Sequence, residues 1–117
     1  MADPLRDKSY AFALRIVKLS EYLHHEKKEF ILSRKILDSG VNISLFIEEG
    51  RQGESRIDFQ QKYSIANKEA FKTNLLLRLL RDGEFVSDAQ AQSLIDDCEE
   101  LQKMLISAIK TVRQSQE

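Results

Sequence analysis

Two adjacent histidines, His24 and His25, are the first residues of this 117-residue chain that could bind a metal or move a proton. Neighbours on a helix point about 100° apart, so the pair cannot chelate one ion as residues four apart can. Both fall near a predicted helix C-terminus, where capping of free carbonyls or plain solvation accounts for them. Cys98 is the only cysteine. A catalytic thiol needs exposure and a nearby base or cation. Its neighbours are instead Asp97, Glu99 and Glu100, which raise a thiol's pKa. The residue therefore reads as buried and structural.

Acids stand side by side at Glu48-Glu49, Asp96-Asp97 and Glu99-Glu100. Adjacent helical positions diverge, so none is an acid/base dyad. A carboxylate-bridged metal bundle needs inward Glu-x-x-His pairs, and residues 26–117 contain no His. Gly50 and Gly53 are too isolated for a phosphate loop and follow a helix rather than a strand. Glu69 sits beside a predicted helix seam, either as one arm of an inter-helix ion pair or as a flank residue reaching water. No catalytic, metal or cofactor site emerges, and the expectation is of no enzyme and no cofactor.

Basic residues leave a more open question. Lys68 and Lys72 are four apart on one helix face, with Arg51 and Arg56 near its start. Such a row is all that phosphate binding requires. The net charge of −1 counts against a general nucleic-acid binder. Arg51, Arg56, Lys68 and Lys72 are the candidate patch for RNA or for a protein partner.

These residues are positioned by four predicted helices. Few glycines and a single proline argue against long loops and all-β folds. Asp3-Pro4 opens a helix over 4–25, whose stripe is Phe12, Ile16, Leu19 and Leu23. A second helix over 29–49, with Phe30, Ser33, Leu37, Gly40, Ser44 and Ile47 on its stripe, stops at Gly50. Ser55, with Asp58 three residues on, opens a third over 55–81. Its stripe is Phe59, Tyr63, Ala66, Ala70, Thr73, Leu77 and Leu80. Asp82-Gly83-Glu84 breaks the pattern, and Ser87 with Gln90 opens a fourth over 87–114. There Ala91, Cys98, Leu105 and Val112 stand seven apart with Leu94, Leu101 and Ala108 between them, a heptad seam. Short connections predict an all-α, up-down-up-down antiparallel four-helix bundle forming one domain over 1–117. The tail after Arg113 is polar and should fray.

The helices carry more apolar surface than one bundle needs. Phe71, Leu75 and Leu79 lie opposite the seam of the third helix, with Ile65 and Leu76 on a flank. Tyr10, Leu14 and Val17 depart from the first stripe, and Leu32, Ile36 and Ile43 from the second. One covered face suffices in a lone bundle, so the expected partner is another copy of the chain. Ile65, Phe71, Leu75, Leu76 and Leu79 are the candidate interface. Charge is divided too: residues 51–81 are basic and 82–117 acidic. The two could pair within a subunit, pair between subunits, or stay solvated. No apolar run reaches membrane-spanning length and no signal peptide is visible. With one unpaired cysteine, the expected setting is the cytoplasm.

Residues 28–80 resemble the bacterial four-helix bundle family named for 23S rRNA intervening sequences. The matching pieces are Lys28-Glu29-Phe30, Leu32-Ser33, Ser39-Gly40, Ile43, Ile47 and Glu49. They continue through Glu54-Ser55, Asp58-Phe59, Lys62, Ile65-Ala66, Lys68-Glu69-Ala70, Thr73, Leu77 and Leu79-Leu80. The resemblance implies an up-down bundle that assembles as a ring-like homopentamer; neither an enzymatic activity nor a ribosomal role follows from the family's name. The chain is also similar to accessory variability determinant proteins of diversity-generating retroelements, basic pentamers that bind nucleic acid and a reverse transcriptase. It departs from the family at Asn42 and Phe46, where Ser and Asn are common, and at Leu75 and Leu76, where aromatics are common.

Overall fold

A computed structural model describes residues 2–115. The last two residues, on which much of the expected fraying falls, lie outside the described ones. Four helices follow in order: α1 (Pro4–His25), α2 (Leu32–Arg51), α3 (Arg56–Asp82) and α4 (Asp88–Ser115). Each packs on its sequence neighbours, and α4 closes the bundle on α1. The body measures 49 × 24 × 21 Å.

Local chemistry sets most ends where the sequence places them. The Asp3 carboxylate accepts from the Arg6 amide at 3.1 Å, and the Ser55 hydroxyl from the Asp58 amide at 3.1 Å. The Gln90 amide donates to Ser87 Oγ at 3.2 Å. Each bond satisfies a backbone donor that the first turn leaves free. Both ends of α2 differ from expectation: Gly50 does not stop the helix, which runs on to Arg51, and its start is displaced. Glu29 stays outside the helix, and its carboxylate accepts from the amides of Ile31 (3.3 Å) and Ser33 (2.8 Å). Residues 29–31 are therefore a folded-back cap, and α2 begins three residues later than its apolar pattern suggests.

The core follows the predicted stripes of α1, α3 and most of α4. Phe12, Ile16, Leu23, Leu77, Leu80, Leu101 and Leu105 are fully buried. In α2 the buried face is rotated from the expected one. Ile36, Ile43 and Ile47 are fully buried, whereas Phe30 is half exposed and Leu37 and Ser44 are only partly covered. Ile36 and Ile43, read as surplus, are core. Small residues bring the backbones together along the α1/α2 seam. Ser20 Oγ donates to the Ser33 carbonyl at 3.0 Å, and Gly40 lies against Ile16. Polar pairs line the other seams. The Ser39 and Thr73 hydroxyls lie 2.8 Å apart between α2 and α3. Asn74 Nδ2 donates to Gln102 Oε1 at 3.2 Å between α3 and α4.

Among the described residues the acidic fourth helix makes no ion pair with the basic third within the subunit. Its Asp97 and Glu100 pair with α1: Arg15–Asp97 at 2.6 Å and Lys8–Glu100 at 3.1 Å. All four groups are partly or largely exposed, so each pair adds about 0–1 kcal/mol.

Candidate functional site

Among the described residues, two uncovered apolar faces run along the sides of the bundle, apart from the exposed Phe30, Ile31 and Ile106. The first is the outward side of α3. Phe71 is 55% exposed, Leu75 48% and Leu79 47%. They stand four apart and so form one stripe. Ile57 extends the stripe toward the start of the helix, and Ile65 borders it. Lys68 and Lys72 stand on the same outward side, so the candidate interface and half of the candidate cations share a surface. Leu76 differs from its companions. It packs partly against the core, and together with Leu75 and Lys72 it lines a cleft against Lys35, Asp38 and Asn42 of α2.

The second face spans α1 and α2. Tyr10, Ala13, Leu14, Val17, Val41, Ser44 and Leu45 line a shallow groove there. Tyr10 is 69% exposed, and Leu14 and Leu45 are each about half exposed. Tyr10, Leu14 and Val17 are legible in the sequence as surplus apolar residues. Val41 and Leu45 are not, because their positions depend on the rotation of α2. Asp7, Leu14 and Glu21 stand seven apart on one line of α1. Asp7 and Glu21 are exposed and make no ion pair among the described residues.

The four candidate cations do not form one patch. Arg51 donates from Nε to Asp3 Oδ2 at 2.6 Å and also approaches Glu48 at 3.9 Å. It ties the end of α2 to the start of α1. Arg56 donates from Nη1 to the Ser115 carbonyl at 3.2 Å, closing the last turn of α4. Lys68 and Lys72 lie about 18 and 24 Å further along α3 at 1.5 Å per residue. Lys72 Nζ is 3.3 Å from Glu69 Oε1 on its own helix, where Glu69 is 9% exposed. Glu69 is thus one arm of an intrahelical pair rather than an inter-helix one. Lys68 alone of the four makes neither an ion pair nor a side-chain hydrogen bond among the described residues.

The nucleophile and imidazole candidates are placed apart. Cys98 is fully buried, and its Sγ lies 3.2 Å from the Ala70 carbonyl. Burial, then the charges of Glu99 and Asp97, push the thiol up to about 12. At pH 8 its thiolate fraction is then about a thousandfold below that of an unperturbed thiol. Native protein should react with iodoacetamide at least that much more slowly than the urea-unfolded chain. Comparable rates in the two states would show that Cys98 is accessible. His24 and His25 are exposed at the end of α1, with ring centres 5.1 Å apart and planes at 79°. Among the described residues no three His, Cys, Asp or Glu side chains converge to hold a metal ion. No described helix is long and apolar enough to cross a membrane.

Comparison with known proteins fits this architecture. A solved structure from Bacteroides thetaiotaomicron VPI-5482, described as a protein of unknown function from the S23 ribosomal protein family, superposes with a TM-score of 0.89. The two are 45% identical over 91% of this chain and 95% of that one. No curated protein matches the chain. The family model of the 23S rRNA-intervening sequence protein matches residues 5–107. With that match over most of its length, the chain belongs to the 23S rRNA-intervening sequence protein family.

Proposed function

We propose that the protein is a non-enzymatic scaffold that assembles with copies of itself, the outward face of α3 on one copy meeting the α1/α2 groove of the next. The observation that carries this reading is a pair of unlike uncovered faces. One bears Phe71, Leu75 and Leu79 among Lys68 and Lys72; the other bears Tyr10, Leu14 and Leu45 beside Asp7 and Glu21. Apolar area supplies the attraction, and opposite charge selects which faces meet. Unlike faces make a head-to-tail contact, which closes into a ring when the rotation per copy allows it. The resemblance to pentameric relatives favours five copies.

A second strand of this proposal concerns the client. Arg51, Arg56 and Lys72 already make contacts within the subunit. With Arg51 on α2 and Arg56 at the start of α3, far from Lys68 and Lys72, no single row remains to hold RNA; the charge on the outward face of α3 guides assembly instead, and the ring presents its outer surfaces to a protein or nucleoprotein. The lone buried Cys98 fits a cytoplasmic setting. Light scattering across a concentration series should give a mass several times that of one chain. A clean monomer at high micromolar concentration would overturn the scaffold reading.

A further inference from the structure

The connection between α1 and α2 gathers cations that no carboxylate engages. Lys27, Lys28, Arg34 and Lys35 are exposed and make no ion pair among the described residues. Of the two acids in this stretch, Glu29 turns its carboxylate onto the backbone amides of α2, and Glu26 is exposed and makes no ion pair among the described residues. Between the cations, Phe30 is 51% and Ile31 69% exposed. This display is held in place. The Glu29 amide donates to the Leu23 carbonyl at 3.0 Å, and Ser33 Oγ donates to the Glu29 carbonyl at 2.8 Å. The His24 ring stands edge-on to Phe30 with centres 4.7 Å apart. Lys28 has φ of 54°, in the left-handed region that favours glycine. That conformation is a common left-handed close of a helix, and it leaves the Lys28 side chain exposed.

We propose that this turn binds single-stranded nucleic acid, with phosphates on Lys27, Lys28, Arg34 and Lys35 and a base stacked on the open face of Phe30. A basic track beside an aromatic platform is how unpaired strands are held without regard to sequence. A flat anionic membrane fits less well. The α3–α4 connection lies at the same end of the bundle and carries Asp82, Glu84 and Asp88, so a sheet of anionic lipid would press on both signs at once. A strand is narrow enough to follow the α1–α2 side alone. The site belongs to each subunit and does not depend on assembly.

The test is titration of a fluorescent single-stranded RNA of about twelve nucleotides, followed by anisotropy. Four neutralised phosphates should give a slope of log affinity against log salt near about −3. Lys27→Ala with Lys35→Ala should halve that slope. Phe30→Ala should weaken binding about tenfold and leave the slope unchanged. Lys28→Gly should weaken binding without lowering Tm, which separates lost charge from a damaged fold. Lys68→Ala should change nothing. The proposal is overturned by absence of binding at low salt. It is equally overturned if affinity is indifferent to Phe30→Ala and to the paired lysine change, or if vesicles containing phosphatidylserine are bound and RNA is not.

Discussion

Gly40→Val should cost the bundle about 3 kcal/mol or more, a large share of a total stability of about 5–15 kcal/mol. A Cβ at residue 40 would lie 2.7 Å from Ile16 Cγ2 and 2.8 Å from Cγ1. Ile16 is fully buried and cannot swing into solvent, so relief requires α1 and α2 to separate. Separation would strain the Ser20–Ser33 hydrogen bond on the same seam. Valine recovers only about half a kcal/mol of helix propensity over glycine, too little to change the sign. A change to alanine is closer to balance, because it regains about 1 kcal/mol of propensity against one clashing methyl. The cause can be isolated. Ile16→Ala alone leaves a cavity and costs about 2–5 kcal/mol. In combination with Gly40→Val the two should be less damaging than their sum by about 1–3 kcal/mol, because the new methyls occupy the vacated space. Urea unfolding at one fixed protomer concentration measures both quantities. Strict additivity would show that Ile16 is not what the valine meets.

That seam also shows where sequence periodicity succeeds and where it fails. In α1, α3 and α4 the apolar residues are dense enough to define a stripe, and the helices bury most of it, with Phe59, Ala108 and Val112 only partly covered. In α2 small residues compete with large ones for the face. The stripe through Phe30, Ser33, Leu37, Gly40, Ser44 and Ile47 counts Gly40 and the serines as interior, and Gly40 and Ser33 are buried. They are buried because α1 approaches closely there, whereas Ile36 and Ile43 fill the bundle centre on the adjoining line. Spacing alone cannot tell a close-contact seam from a core-filling line when both recur every three or four residues. The same ambiguity hides Val41 and Leu45, whose exposure follows only once the rotation of α2 is known.

Charge is less legible than periodicity. Lys68 and Lys72 read as a patch with Arg51 and Arg56 because the first two are four apart on one face and the others lie near the start of the same helix. The structure gives Arg51 to Asp3 and Arg56 to the last turn of α4. These partners are distant in sequence, and long basic side chains choose among acceptors that only the assembled bundle brings near. Asp97 illustrates the same point, since it pairs with Arg15 of α1 rather than with the basic helix beside it. The cations at the α1–α2 turn make no ion pair among the described residues, and Glu29, one of the two acids there, is captured by the backbone.

Leu14→Asp and Leu75→Asp should each reduce the assembly to monomers, and an equimolar mixture of the two should form a one-to-one dimer and nothing larger. Both leucines are about half exposed in the subunit, at 49% and 48%, so neither change opens the core. Each sets a short carboxylate into a contact that excludes water. Losing the apolar burial and enclosing an unpaired charge costs about 3 kcal/mol or more, over a hundredfold in Kd. The mixture is decisive because the proposed contact joins unlike faces. The Leu14→Asp chain keeps a sound α3 face, and the Leu75→Asp chain keeps a sound groove, so one good contact can form. The remaining groove and α3 face both carry the new acid and cannot extend the chain. A self-complementary α3–α3 contact predicts otherwise: Leu75→Asp alone dissociates, Leu14→Asp stays assembled, and mixing produces no dimer of the two. Analytical ultracentrifugation of the three samples separates these outcomes, with circular dichroism to confirm that both variants remain helical. If Leu14→Asp leaves the particle intact, the α1/α2 groove is not the seat of α3, and the opposite charges of the two faces serve some other contact.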